Sequence, residues 1–554
     1  MLELTGIRIP LDHLDGTFPT EEEAIQKAVL RKLHLPLNDI DQIVLRKRSL
    51  DARKKSDVRY NYTLLVTLCG GAEAERELLH RLRRHHELRG VREYSETTYR
   101  FPAHLGTMPA KRPVVVGAGC AGLFCALALA EAGLEPLLVE RGEDAEARCE
   151  RIDHFEETGE LDPESNIQFG LGGAGTFSDG KLGTGTKSPA HRLILKTFVD
   201  AGADPKIMWD AKPHVGSDVL PTVVTNICGR IGVLGGEVRF GTRLTGISTS
   251  GGSVSGVTLE RRDPQTGIVV EERVPADNVV LACGHSARDV FAMARDRGVA
   301  LERKPFAMGA RIEHAQSAVD RAQYGRAAGH PSLPPAEYKL SWHDASGRGV
   351  YTFCMCPGGT VVAAASEPGG VVTNGMSERL RDGRNANAAL LVNVLPQDLP
   401  GDDVLAGVDL QRRCERAAFE RGGGGFAAPA QLVGDFLAGT PSSGPGSVAP
   451  TYGRGVTWGS LDGTLPPYVV DAMRAGIAPM ARRLRGFDAA DAVLTGVESR
   501  SSSPVRMTRG GDRQSVSTPG LYPCGEGAGY AGGIMSAATD GLATARAVAD
   551  ALRG

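Results

Sequence analysis

The sequence predicts an α/β protein with three parts: a Rossmann-like nucleotide-binding domain, an inserted mixed β/α substrate or cap domain, and a small N-terminal ferredoxin-like α+β domain. Three observations carry this. Residues 112–141, RPVVVGAGCAGLFCALALAEAGLEPLLVER, run strand, glycine turn, apolar helix, second strand and terminal acid. The stretch from Pro519 onward repeats a short strand, an acid in a Gly-rich turn, and a helix. Residues 1–105 read as β-α-β-β-α-β.

A chain of 554 residues holds two to four domains and can bury a large core. With 41% apolar and 23% charged residues it has an ordinary soluble globular composition. A formal charge of −3 argues against a dedicated nucleic-acid or membrane-surface protein. The 71 glycines are clustered rather than periodic, which excludes collagen-like and repeat architectures. Met1-Leu2-Glu3-Leu4 has no basic segment leading into an apolar core, so no signal peptide is expected. The ten cysteines include no C-x-x-C pair, so no metal site is expected. Reduced thiols and a cytoplasmic location are expected.

In the N-terminal domain Ile7-Arg8-Ile9 reads as a strand, and Thr20-Glu21-Glu22-Glu23 as the cap of a helix running to about Leu33. Strands at Ile43 to Leu45 and Tyr60 to Leu68 flank a basic loop, Arg46 to Arg59. A second helix over 73–89 and a strand near 91–99 complete the unit. Its basic patches read first as a solvated hairpin and helix face, and second as a nucleic-acid surface. Pro102, Pro109 and Pro113 mark the linker.

Val114-Val115-Val116 is a buried parallel strand. Gly117, Gly119 and Gly122 follow at G-x-G-x-x-G spacing, with Ala118, Cys120 and Ala121 between them. Gly117 permits the tight turn, Gly119 the approach of a pyrophosphate, and Gly122 close helix–sheet packing. The helix N-terminus offers free N–H groups and partial positive charge to phosphates. Glu140, 18 residues after Gly122 and followed by Arg141, is placed to accept from an adenosine ribose.

The run 166–182 is too Gly-rich for a helix or strand interior. Its apolar members suit a loop wrapped on a ligand better than one in solvent. Gly172, Gly173, Ala174, Gly175 and Thr176 form its centre; Ser178, Asp179, Lys181 and Leu182 close it. A helix near 221–234, a strand at 237–240, a hairpin passing through Leu244, and the strand 278–284 ending on Cys283-Gly284 come next. Residues 304–479 then alternate like a mixed antiparallel sheet. Finally Gly525-Glu526 and Gly533-Ile534-Met535 open the last helix. The implied domains are 1–105, 110–300, 301–485 and 486–554.

With these motifs in place, the chain resembles FAD-dependent oxidoreductases of the glutathione-reductase structural type. It is more closely similar to a bacterial FAD-dependent dehydrogenase family. The phrases FGLGGAGTFSDGKL, KPFAMGARIEH, RDGRNANAALLV, ESRSSSPVR and GLYPCGEGAGYAGGIMSAATDG carry the resemblance over residues 100–554. It implies FAD, with Gly117, Gly119 and Gly122 on the pyrophosphate, Glu140 on the ribose, the 170–182 loop near the flavin, and Glu526 on the ribityl chain. The helix opening at Gly533 would lie near the flavin N1/O2 edge. Leu244, Cys283 and Gly284 join the cofactor-binding set. Cys120 departs from the usual Pro or Ala, and Leu171 stands where an acid is expected.

A dehydrogenase needs a base for the substrate proton. His285 and Lys181 are the candidates, and Arg500, Arg506 and Glu498 could line the same site. The expected partners are a small organic substrate and NAD(P)H as a candidate electron donor, without membrane or nucleic acid. A flavin monooxygenase and an RNA-associated flavoprotein are the alternatives, and the sequence sets no oligomeric state.

Overall fold

The computed structural model describes residues 1–554 except 107, 264, 265 and 554. Gly554, the last residue of the C-terminal segment, therefore lies outside the described residues.

The N-terminal unit is a four-stranded antiparallel sheet of Leu2–Pro10, Ile40–Asp51, Arg59–Leu68 and Val91–Glu93, with helices Phe18–Leu33 and Gly71–Arg84. The strand order is second, third, first, fourth, as in a ferredoxin-like sandwich. Tyr60, Tyr62, Leu64, Val66 and Leu68 alternate into its core. The expected basic loop is shorter than the sequence suggests, because the second strand continues to Asp51. The extension is held from outside the sheet. Arg48 N–H donates to Trp209 O (2.7 Å), Ala211 N–H donates to Arg48 O (2.8 Å), and the Arg48 guanidinium pairs with Asp210 and Glu21. Arg48 thus docks this unit on the nucleotide-binding region and is spent as a cation. Tyr60 Oη adds a bond to Ser332 O, 2.6 Å.

The next sheet is five-stranded and parallel, ordered Leu521–Pro523, Val279–Leu281, Val114–Val116, Leu137–Val139, Glu237–Arg239. Period-2 alternation explains why three-residue strands can be wholly apolar. Val115, Leu138 and Val280 face the helices Cys120–Glu131, Leu220–Val233 and Ile534–Ala551. Val114, Val116, Leu137, Val139, Val279 and Leu281 face the antiparallel strands 242–275 and helix Arg288–Asp296. Both faces are covered.

Between its fourth and last-contributed strands the chain builds a seven-stranded sheet. Its order is Ser341–His343, Gly349–Cys356, Asn385–Val394, Phe306–Ala315, Val493–Glu498, Ala428–Leu432, Val456–Trp458. Asn385–Val394, central and buried, is Ala-rich and so carries little strand signal of its own. Val493–Glu498, which the sequence groups with 486–554, pairs here with Phe306–Ala315 and Ala428–Leu432. The return to the parallel sheet comes after it.

The C-terminal helix lies across the helix Cys120–Glu131 almost backbone to backbone. A Cβ on Gly541 would sit 2.1 Å from Ala121 O. Gly541→Ala is therefore expected to cost on the order of 1–3 kcal/mol by overpacking, read from urea unfolding.

Candidate functional site

The site begins where Val114–Val116 ends. At Gly117 (φ +99°) a Cβ would lie 2.5 Å from Ala282 O, and at Gly122 1.8 Å from Gly117 O. No side chain fits at either position. Gly119 is different: its φ is −73°, and the nearest atom to a Cβ there is 3.9 Å away. Helix Cys120–Glu131 begins at Gly119 with no side-chain cap. The N–H groups of Cys120, Ala121 and Gly122 are left without intrahelical partners.

Glu140 is 5% exposed and accepts three amide bonds, from Ala118 (2.8 Å), Gly142 (3.0 Å) and Gly170 (2.9 Å). A carboxylate has about four acceptor sites, so one remains, on Oε2. Glu140 thus stitches the glycine turn to the 166–182 loop. Gly172 N–H adds a bond to Ala118 O, 2.8 Å, and Gly119 and Gly172 bridge in parallel.

Arg148, which sequence reasoning missed, shapes that loop. Its guanidinium is fully buried and donates to the carbonyls of Asn166 (2.9 Å), Ile167 (3.0 Å), Leu171 (2.7 Å) and Gly173 (3.0 Å). Among the described residues no carboxylate pairs with it, and burial pushes its pKa down to about 10. N–H and C=O point oppositely in a peptide, so holding Gly173 O turns the Ala174 N–H away from Arg148. Gly173, Ala174 and Gly175 are part-accessible.

The far end of the chain closes on the same place. A Cβ on Gly525 would lie 2.7 Å from the Ala121 Cβ, and Ile534 packs on Gly175. Met535 is buried behind it. Helix Ile534–Ala551 starts at Gly533 (φ +105°), again without a side-chain cap. Burial pushes the Glu526 carboxyl up to about 7, against the pull of the Gly533 N–H and of Lys304. Folding raises this pKa, so its contribution to stability is complete below about 4.5 and lost as pH rises through about 7. Glu526→Gln is expected to flatten that slope. Urea unfolding of the flavin-free chain on both sides of the window checks it.

Cys283, Gly284 and His285 follow the strand Val279–Leu281 and face the same opening; Gly527 lies against the Gly284 backbone. A hydrogen-bond chain sets the His285 tautomer. Gln168 Nε2 donates to Ala364 O (3.3 Å), so Gln168 Oε1 accepts from Ser286 Oγ (2.9 Å). With its hydrogen committed, Ser286 Oγ accepts from His285 Nδ1–H, 3.2 Å. Nε2 keeps its lone pair. Burial, then Arg500, Arg288 and Lys304, push this ring down to about 3. Arg288 and Arg500 both bind buried Glu415.

Other predicted residues point elsewhere. Lys181 pairs with Asp179 (2.5 Å) and donates to Met355 O, while Asp179 also pairs with Arg381 (2.8 Å). Together they tie the loop to the seven-stranded sheet. Ser178 caps Gly175 O at 2.7 Å, and the Thr176 hydroxyl bonds Leu171 O at 3.2 Å. Arg141 is held by Glu164 and Asp289 over the Phe169 ring. The side chains of Leu182 and Leu244 are in the core. Glu498 is paired with Arg311 (3.0 Å), and Arg506 with Glu302 (2.9 Å).

The residues present fit an extended dinucleotide. At Gly284, Gly532 and Gly533 a Cβ would meet no protein atom within 4 Å, and Gly119 is nearly as open. Two uncapped helix N-termini flank this space. Fold and site together define a dinucleotide-binding flavoprotein.

Comparisons with known proteins agree. Residues 112–149 match an FAD binding domain, residues 305–501 an "FAD-dependent protein, C-terminal domain-like" model, and residues 1–67 a domain of unknown function. An uncharacterized protein of Clostridium beijerinckii is 41% identical over 542 residues, covering 97% of this chain and 98% of that one. The chain belongs to this FAD-dependent protein family; it is an FAD-dependent flavoprotein, and oxidoreduction is the chemistry its cofactor supplies. Among solved structures, the FAD-complexed glycerol-3-phosphate dehydrogenase of Bacillus halodurans is 12% identical, covering 80% of this chain and 65% of that one, at a TM-score of 0.35. The L-amino acid deaminase of Proteus myxofaciens is 13% identical, covering 84% and 94%, at 0.30. Among the described residues, no helix is long and apolar enough to cross a membrane.

Proposed function

We propose that this protein is a dehydrogenase or reductase of the glutathione-reductase structural type, acting on a small organic substrate in the cytoplasm. FAD, when bound, supplies two-electron hydride chemistry. The amides of Cys120, Ala121, Gly122 and Ala174 hold its pyrophosphate, and the remaining acceptor site of Glu140 takes the ribose. Glu526 takes the ribityl chain, and the N-terminus at Gly533 favours negative charge nearby.

One observation carries the reaction class. His285 Nε2 is an unprotonated acceptor beside the opening, its ring fixed by Ser286 and Gln168. It takes the proton from a substrate O–H or N–H while the adjacent C–H leaves as hydride. Anaerobic mixing with NADH, NADPH and a metabolite panel tests this. Loss of visible flavin absorbance with one donor is the expected result. Incorporation of labelled dioxygen into product would instead make the protein a monooxygenase.

A further inference from the structure

Beside the 525–533 glycine segment stands a cation that enters no ion pair among the described residues. Lys304 stands between strands Leu301–Arg303 and Phe306–Ala315, where the chain passes from the nucleotide-binding region to the seven-stranded sheet. Its backbone is fixed by an N–H bond to Pro504 O, 2.9 Å. Ser503, one residue before Pro504, donates to Gly527 O at 3.1 Å, and Gly527 lies against the Gly284 backbone beside His285. Lys304 is therefore held at the opening that His285 and Glu526 share.

Its ammonium is poorly satisfied. Among the described residues, its only hydrogen bond is to Pro305 O at 3.4 Å, and no carboxylate lies within 4.0 Å. The other cations nearby are spent: Arg506 on Glu302, Arg288 and Arg500 on Glu415. These three guanidiniums face three carboxylates, Glu302, Glu367 and Glu415, and the acid whose charge reaches Lys304 is Glu526, held up to about 7 and in no ion pair with it. A part-buried cation with no ion-pair partner among the described residues, beside an acid still part-protonated near neutral pH, is open to an anion.

We propose that Lys304 anchors a carboxylate of the substrate, so that the protein oxidises a small organic acid. This rests on the dehydrogenase reading above and names its substrate class. With the carboxylate on Lys304, the neighbouring carbon presents its O–H or N–H to His285 Nε2. The proton passes to Nε2, the C–H bond breaks as a C=O or C=N bond forms, and FAD, when bound, would supply the two-electron acceptor for the hydride. Arg288 and Arg500 do not touch the acid, since Glu415 holds both.

The test uses the FAD-loaded full chain, titrated with benzoate and with its neutral isostere benzamide, following the flavin absorbance. Benzoate is expected to perturb the spectrum saturably, with benzamide at least about tenfold weaker, the scale of one charge-assisted hydrogen bond. Lys304→Met should abolish the preference at unchanged FAD content, and Lys304→Arg should keep it. Equal binding of the two probes, or benzoate binding indifferent to Lys304→Met, would overturn the proposal. So would loss of FAD from Lys304→Met, which would assign Lys304 to the cofactor. A wild-type chain that took up no FAD would overturn the underlying reading as well.

Discussion

Arg148→Met is expected to leave a folded chain that no longer retains FAD, and to lower its stability by about 3–5 kcal/mol, as when one partner of a buried charged network is removed. Methionine fills much of the guanidinium's volume, so packing is not the main loss. Four carbonyls, of Asn166, Ile167, Leu171 and Gly173, lose a common donor inside the protein. The loop they belong to then has no reason to keep its amides turned toward the opening. Arg148→Lys should recover only part of the effect, because one ammonium cannot reach four acceptors in a planar fan. FAD content per chain and urea unfolding read the two consequences separately. A variant with full FAD content would mean that Glu140 and the Gly119–Gly172 bridge suffice to hold the loop.

His285→Gln is expected to slow reduction by the active donor about 10²-fold, the low end for a positioned base because so weakly basic a ring is a poor proton acceptor, with FAD content unchanged. The pH dependence follows from the depressed pKa. A ring that protonates only near 3 is neutral across the working range, so the wild-type rate should show no acid limb near the ordinary 6.5. The sign for stability is the same. The neutral ring's contribution is complete above 6.5 and is lost as pH falls toward about 3. Ser286→Ala frees Nδ1 and lets the proton move between the two nitrogens. It should therefore lower the rate while the shape of the pH profile changes. Stopped-flow reduction across pH checks both variants, and a His285→Gln rate equal to wild type would remove His285 from the chemistry.

What was legible in the sequence is what local chemistry writes into it. Val114-Val115-Val116, the glycine spacing 117-119-122 and the acid at 140 are specified within thirty residues, and the structure brings them together with 172–176, 283–285 and 525–535. What escaped has partners that exist only after folding. Arg148 reads as one more arginine on a polar helix, because its acceptors are backbone carbonyls of a loop twenty residues on. Gln168 and Ser286 are 118 positions apart and meet through the fold alone. Arg48 sits in a basic run that reads first as a solvated face and second as a nucleic-acid surface, yet its guanidinium is taken by Glu21 and Asp210. An alanine at that position would unpick a domain contact rather than a phosphate contact. Lys181 shows the converse: a residue type suited to catalysis, drawn to Asp179 and the Met355 carbonyl by proximity.

The space between the two glycine segments is where FAD binds. Gly119 isolates that claim, since its backbone angles suit any residue and its Cβ direction is clear of protein. Gly119→Leu should unfold at the same urea concentration as wild type but purify colourless and take up no added FAD, while wild type binds one per chain. A Gly119→Leu protein that keeps a full complement of FAD would contradict it.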